Sequence, residues 1–237
     1  MRFKHVIITR FNVNIHPTDY PFRLSETWLM ERLEYFKQFC FPSVSGQLNQ
    51  NFTWLVLFDE KTPERFRRFI RLFEQYPNFT AMFCGEFFTI MPQVRRYLVQ
   101  ACQKNEYCLT TRLDNDDAIS RDFVGFVHEA ANTFLDSWPA EPFDVFFNFP
   151  NGLQYCSGTV YDFRDVTNAF ISFLEYSQNP STVFCVDHPS IYERANVVQV
   201  ETKPIFLQHV HERNVYNYIR GSVSQSKSVL DDFVLNL

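Results

Sequence analysis

Glycine is scarce, with six in 237 residues, and none falls into GxGxxG or GxxxxGK[ST]. The backbone cradles by which dinucleotide and P-loop proteins hold phosphate are therefore missing. Cysteine offers no framework either. Cys40, Cys84, Cys102, Cys108, Cys156 and Cys185 are scattered without a CxxC pair. Such spacing suits reduced core thiols in a cytoplasmic chain better than a zinc site or a disulfide set. No apolar run approaches the roughly 20 residues needed to span a bilayer, so a soluble chain with no transmembrane segment is expected. The opening MRFKHVIITRF has no small-residue cleavage site after it and reads as a first strand, not a signal peptide. A basic excess is lacking too. The formal net charge of -5 argues against nucleic acid as a partner, because such binding needs Lys and Arg to displace counterions from phosphates.

Apolar and aromatic material is abundant: 46% of residues are hydrophobic, 18% aromatic and 28 are Phe. That supplies a substantial core, and the charge content excludes a disordered chain. HVIITRF (5–11), TWLVLFD (53–59), FTAMF (79–83) and YCLTTRL (107–113) read as buried strands. Between them lie amphipathic helices. One covers 25–40, with Ser25 as cap and Leu29, Leu33, Phe36 and Cys40 on a stripe; another follows Thr62 as N-cap and Pro63, with Phe66, Phe69, Ile70 and Phe73. A third carries Val94, Tyr97, Leu98 and Ala101 after Pro92. A fourth follows Ser120, with Phe123, Phe126, Val127, Ala130 and Phe134. This alternation predicts an α/β fold: one mixed, mostly parallel sheet with helices on both faces, whose ligands collect beyond the carboxyl ends of the strands.

From about residue 143 the pattern changes to short strand-like runs, DVFFNF, QYCSGTVYDF, TVFCVD, NVVQVE and PIFLQHV. A helix near 165–176 with Val166, Phe170, Phe173 and Leu174 interrupts them. No Gly, Ser or Pro-rich linker marks the junction, so 1–237 reads as a single domain, with 1–118 as the ligand-binding half and 119–237 completing the sheet and walling the site.

The chemistry concentrates in LTTRLDNDDAI. Asp114, Asp116 and Asp117 crowd together at the end of an interior strand, where mutual repulsion raises carboxyl pKa values unless a cation neutralises them. A solvated, helix-capping turn would explain one such residue. Three suggest a divalent ion, and oxygen ligands suit Mg2+ or Mn2+, which characteristically keep waters and substrate phosphates in their shell. In extended geometry Asp114 and Asp116 point to one side and Asn115 to the other. A diphosphate bridged by metal needs no glycine cradle.

TRFNV after the first strand, FPSVSGQLNQNFTWLVLFDEKTP, TTRLDNDDAIS and FLQHVHERNVYN together resemble the bacterial rhamnosyltransferase family. The resemblance covers most of the chain. It implies a glycosyltransferase A-type fold, a nucleotide-diphosphate sugar donor such as one carrying rhamnose, and a glycan or other hydroxyl acceptor, as in surface polysaccharide or glycoconjugate synthesis. By the same resemblance, Asp116 would coordinate the metal, Asp114 would reach the metal through water or the nucleotide ribose, and Asp117 would add a contact to a sugar hydroxyl or to the residues behind the site. A late histidine would complete the metal set. His209 and His211 alternate onto one strand face, and His209 is the first choice.

Thr9, Arg10 and Phe11 fall where a nucleotide base would enter, although Phe is commonly core. Asp59 shares that edge or caps the helix after it. Arg112 meets a phosphate or pairs with Asp114 to hold the loop. An inverting transfer needs a general base, for which Asp187 and His188 are the candidates; Asp187 has a simpler reading as a turn cap before Pro189. Two other classes fit the carboxylates: a metal-dependent phosphohydrolase or nuclease, and a non-catalytic binding protein stabilised by a cation.

Overall fold

The computed structural model describes residues 2–15, 21–137, 144–212, 218–226 and 228–237. Four parallel strands open the chain: β1 (Phe3–Arg10), β2 (Thr53–Asp59), β3 (Phe79–Cys84) and β4 (Tyr107–Arg112). Val6, Ile7 and Ile8 of β1 and Leu55, Val56 and Leu57 of β2 are inaccessible to solvent. Such continuous apolar runs are what a strand covered on both faces requires.

Helix α1 (Glu26–Tyr35) starts at Ser25, whose hydroxyl accepts from the Trp28 N–H. It runs through a π turn at Phe36–Cys40 into α2 (Phe41–Ser45). Leu29, Leu33, Phe36 and Cys40 are buried, as their spacing predicts. Helix α3 (Glu64–Phe73) begins from Pro63 at its N-cap position, while the Thr62 hydroxyl turns back to the Asp59 carbonyl instead of capping. Helix α4 (Phe87–Cys102) starts before Pro92 and buries Ile90, Val94, Leu98 and Cys102. Pro92 is the sixth residue of the helix, past its first turn, and so leaves the Phe88 carbonyl without its intrahelical N–H partner.

After β4 come a two-residue strand β5 (Ala118–Ile119) and α5 (Phe123–Ser137). The cap of α5 is not the Ser120 hydroxyl, which is buried without a hydrogen-bond partner. Gln47 does the work: its carbonyl accepts from the Val124 N–H at 3.0 Å and its amide donates to the Ser120 carbonyl at 2.7 Å.

The second half holds β6 (Val145–Asn148), β7 (Asn151–Cys156), β8 (Thr159–Arg164), β9 (Ser172–Tyr176), the short α6 (Ile191–Arg194), β10 (Asn196–Gln199), β11 (Phe206–His209) and β12 (Ser222–Val223). The strands form two sheets, not one. A seven-stranded sheet runs β10-β6-β9-β4-β1-β2-β3, and a five-stranded sheet runs β12-β8-β7-β11-β5. Helices α1, α2, α3 and α5 pack on one face of the larger sheet. Helix α4 and residues 183–191 cover the other.

Two segments differ from expectation. The helix expected over 165–176 is a turn followed by strand β9. Asp165 accepts from the Thr167 N–H and Asn168 from the Phe170 N–H, side-chain contacts that divert the backbone from a helix. Strand β9 then inserts antiparallel between β4 and β6, buried on both faces, so its apolar residues show no period of two. TVFCVD is not a strand either. The Glu175 carboxylate accepts from the Ser181 and Thr182 backbones, and Thr182 adopts φ 75, which folds the segment into a loop across the sheet.

A buried polar chain crosses this framework. The Asn49 amide donates to His128 Nδ1 (3.1 Å), so His128 Nε2 donates to His5 Nδ1 (3.0 Å) and His5 Nε2 to Thr111 Oγ1 (2.8 Å). Every link uses neutral imidazole. Burial lowers both pKa values, His128 to about 4 and His5 well below its ordinary range. A histidine kept neutral in the fold contributes stability that is present above about pH 6.5 and lost as pH falls through its folded pKa. Lowering the pH from about 6.5 to 4 should therefore cost wild type roughly 3 kcal/mol through His128 alone. Urea unfolding across that range tests it: His128→Gln should show a shallower loss, and identical slopes would refute the assignment.

Candidate functional site

The acidic turn lies where the two sheets meet. Strand β4 belongs to the larger sheet, β5 to the smaller, and residues 113–117 are the bridge between them. The Leu113 N–H still donates to the Ile8 carbonyl, after which the chain leaves the sheet. Asn115 then fixes the turn from behind, its amide donating to the carbonyls of Phe11 (2.6 Å) and Arg10 (3.2 Å). On the smaller sheet, β11 pairs antiparallel with β5. That pairing delivers the His209 N–H to Asp117 Oδ1 at 2.9 Å.

The backbone turns at Asn115 and Asp116, so the three carboxylates take different partners. Asp114 faces Arg112 (2.9 Å) and Arg10 (3.7 Å). Asp116 Oδ2 meets Arg32 (2.5 Å) and His211 Nε2 (2.9 Å). Burial works to raise the pKa of each acid, and the outcome depends on the neighbours. Arg112 and Arg10 hold Asp114 well below the ordinary carboxylate range, and the hydrogen bond from His211 together with the charge of Arg32 keeps Asp116 below it. Asp117 is raised well above it by burial and by the charges of Asp116 and Asp114. The two arginines beside Asp114 are crowded in turn. Burial and Arg112 pull Arg10 down to about 10, and Phe184 lies against the Arg10 guanidinium, 4.6 Å from its ring centre.

His209 and His211 do share a face, with ring centres 4.8 Å apart. His211, not the first-choice His209, touches Asp116. His209 stacks on Phe39 at 4.1 Å, and its Nδ1 is buried without a hydrogen-bond partner. Burial and His211 lower its pKa to about 4, which leaves a neutral ring. Among the described residues no three His, Cys, Asp or Glu side chains stand as a ready metal-ligand group. The donor chemistry nevertheless fits a divalent ion. Asp116 Oδ2 and His211 Nε2 face each other, and the His209 ring lies beside that of His211. Asp114 is engaged with two guanidinium groups instead.

His188 lies on the same side. Its Nδ1 donates to the Thr167 carbonyl, which leaves Nε2 as the acceptor. Burial lowers its pKa despite that bond, and Arg112 and Asp114 both act on it electrostatically. Asp187 is exposed and precedes a short 3-10 turn at His188–Ser190. Two expected base contacts belong to the core. Thr9 Oγ1 accepts from the Trp54 indole at 2.9 Å, and the Phe11 ring packs against Phe36 and Phe58. Asp59 is differently placed. It receives Arg23 through Nε (3.1 Å) and a terminal nitrogen (2.8 Å), and lines a cavity of about 260 Å³ at the ends of β2 and β3 with Asn14, Lys61, Gly85 and Phe88.

Arg23 and Arg32 have no part in the reading of motifs, and neither has Tyr35, whose ring stacks on His211 with centres 4.4 Å apart. Arg32, Tyr35 and Phe39 follow one another at spacings of three and four. They form a second stripe on the α1 and π-turn segment beside the apolar one, and that spacing is the signal that would have found them. A π turn at such a place is common near functional sites.

The acidic turn thus stands at the carboxyl edge of a mostly parallel sheet, with an antiparallel strand inserted beside it. The chain belongs to the family described as "Putative rhamnosyl transferase", whose model matches residues 1–222. No curated protein matches the sequence. Among solved structures it is similar to TarS 1-349 of S. aureus (12% identity over 88% of this chain and 60% of that one, TM-score 0.46). The same TarS fragment in complex with UDP gives 12%, 89%, 61% and 0.47. A putative nucleotide-diphospho-sugar transferase from Desulfovibrio desulfuricans G20 gives 9%, 88%, 81% and 0.43. The chain thus spans about three fifths of TarS 1-349. Residues 213–217 of the FLQHVHERNVYN block lie outside the described residues.

The joint between the sheets rests on Asp117. Asp117→Ala strands the buried His209 N–H and should cost about 1–3 kcal/mol. Asp117→Asn keeps an acceptor oxygen and relieves a buried like charge, so it should match or exceed wild type in chemical denaturation. Equal losses in both variants would show that the bond to His209 is not what holds the joint.

Proposed function

We propose that this protein transfers a sugar from a nucleotide-diphosphate donor to a hydroxyl acceptor. The observation that carries the reading is the convergence of Asp116 and His211 at the tip of the acidic turn, beside the guanidinium groups of Arg10, Arg32 and Arg112. Three cations around carboxylates at the carboxyl edge of a sheet suit a diphosphate. Family membership supports rhamnose as the transferred sugar.

The nucleoside occupies the cavity beside Phe88, whose exposed ring offers stacking, while Asp59 holds Arg23 in the cavity wall. The diphosphate extends toward Arg10 and Arg112. Asp116 and His211 hold the metal, with His209 as a further donor. One carboxylate oxygen together with imidazole nitrogens is less suited to Mg2+, which prefers oxygen, than to Mn2+. The ion supplies charge neutralisation for the departing diphosphate. His188 is the proposed base. Its donor side is occupied by the Thr167 carbonyl, and its lowered pKa keeps Nε2 unprotonated near neutral pH, ready to take the proton of the acceptor hydroxyl. Asp114 and Asp165 add negative charge that favours the resulting imidazolium, and exposed Asp187 precedes it in the chain. The 1–118 half carries the nucleotide contacts, and the later half supplies His188, His209 and His211.

Calorimetry with UDP and dTDP, each with Mn2+, tests the donor side. Asp116→Ala should abolish metal-dependent nucleotide binding, and unchanged affinity would sink the assignment. His188→Ala should lower kcat on the order of 10²-fold or more while leaving nucleotide affinity within about twofold. A fall in affinity with intact kcat would move His188 from base to donor contact.

A further inference from the structure

The Asp116 oxygen that faces His211 is already engaged. Arg32 Nη1 lies 2.5 Å from that same Oδ2 and 3.3 Å from Asn115 Oδ1. The contact is secluded: the side chains of Arg32, Asp116 and His211 are 12%, 7% and 8% exposed. Arg32 is also held from its own helix, its guanidinium 5.2 Å from the Trp28 ring centre. A carboxylate so enclosed requires a counter-charge, and Arg32 supplies one. An ion entering between Asp116 and His211 needs the same oxygen.

We infer that Arg32 is a resident placeholder cation which competes with the divalent metal for Asp116 Oδ2 and so sets how readily the site takes metal. The inference rests on the proposed metal role of Asp116. Metal binding without a diphosphate must loosen a desolvated ion pair and leave a guanidinium with less negative charge around it, so the ion alone binds weakly. When a diphosphate arrives, the displaced guanidinium gains a new anionic partner. Metal and donor are thereby linked through one side chain, and each favours the other. The competition is local to one oxygen. Arg10 carries the same charge nearby but faces Asp114, so it exerts no direct exclusion at Asp116.

Titration of Mn2+ alone into the full chain at pH 7.5, followed by the loss of the free-ion electron paramagnetic resonance signal, separates the possibilities without any turnover. Arg32→Met should bind Mn2+ roughly tenfold tighter or better than wild type, since the loss of one close charge competitor corresponds to about 1.4 kcal/mol or more. Arg32→Gln serves as the second variant if Arg32→Met does not fold. Arg10→Met, which removes an equal charge from the neighbouring carboxylate, should change affinity less than threefold. Adding Asp116→Asn to the Arg32 variant should abolish the gain. If Asp116-dependent binding exists but is the same with and without Arg32, or if Arg10→Met tightens it equally, the placeholder role is wrong and the metal reading survives. Absence of Asp116-dependent binding in every variant overturns both.

Discussion

Three carboxylates within four residues, Asp116 and Asp117 buried and Asp114 partly so, require cations, and the surrounding structure is arranged to provide them. Arg10 comes from the end of β1, Arg112 from the end of β4 and Arg32 from α1, while His211 arrives from beyond β11. None of these lies close to all the others in sequence. They meet because the acidic turn is also the strand-to-strand step between the two sheets. Its geometry is fixed from behind by Asn115 on the Phe11 carbonyl and from the side by the His209 N–H on Asp117. Electrostatic balance and sheet junction are thus one feature.

The division of the acids follows from this. Asp114 and Asp116 remain charged because each has a guanidinium of its own, whereas Asp117 is held by a backbone N–H and takes the repulsion of both neighbours. Asp117 therefore serves architecture, and the other two are balanced by guanidinium groups. A similar separation appears in the histidines. His211 touches Asp116 directly, while His209 is locked by its stack on Phe39 and contributes its backbone to the joint. The π turn in the first helix positions Tyr35 and Phe39 against these rings, so one short irregularity supports both histidines.

Much of the first half was legible in the sequence because its strands are bounded by helices with clean apolar stripes. Leu29, Leu33, Phe36 and Cys40 are an example, and the carboxyl edge followed from the alternation. The second half was harder for a physical reason. Strand β9 is buried on both faces and shows no alternation, so Phe170, Phe173 and Leu174 mimic helical spacing. The loop at TVFCVD is apolar because it covers the sheet, and its conformation is set by Glu175, seven residues before Thr182. At the site, the acids and both histidines could be picked out by type, but their partners could not. Arg32 and Arg23 reach across 84 and 36 residues to Asp116 and Asp59, and no local pattern encodes such pairings. Thr9 and Phe11 went the other way: near the ligand edge in sequence, they point into the core.

The central claim is that the acidic turn and His211 hold the metal end of a nucleotide-diphosphate sugar while the nucleoside lies by Asp59. A crystal structure of the protein with Mn2+ and a nucleotide-diphosphate sugar, with anomalous scattering used to locate the ion, tests that most directly. The account predicts one Mn2+ bonded to Asp116 Oδ2 and His211 Nε2 and to the diphosphate, with the base in the cavity beside Phe88. A nucleotide bound elsewhere, or an ion that contacts neither Asp116 nor His211, would contradict it.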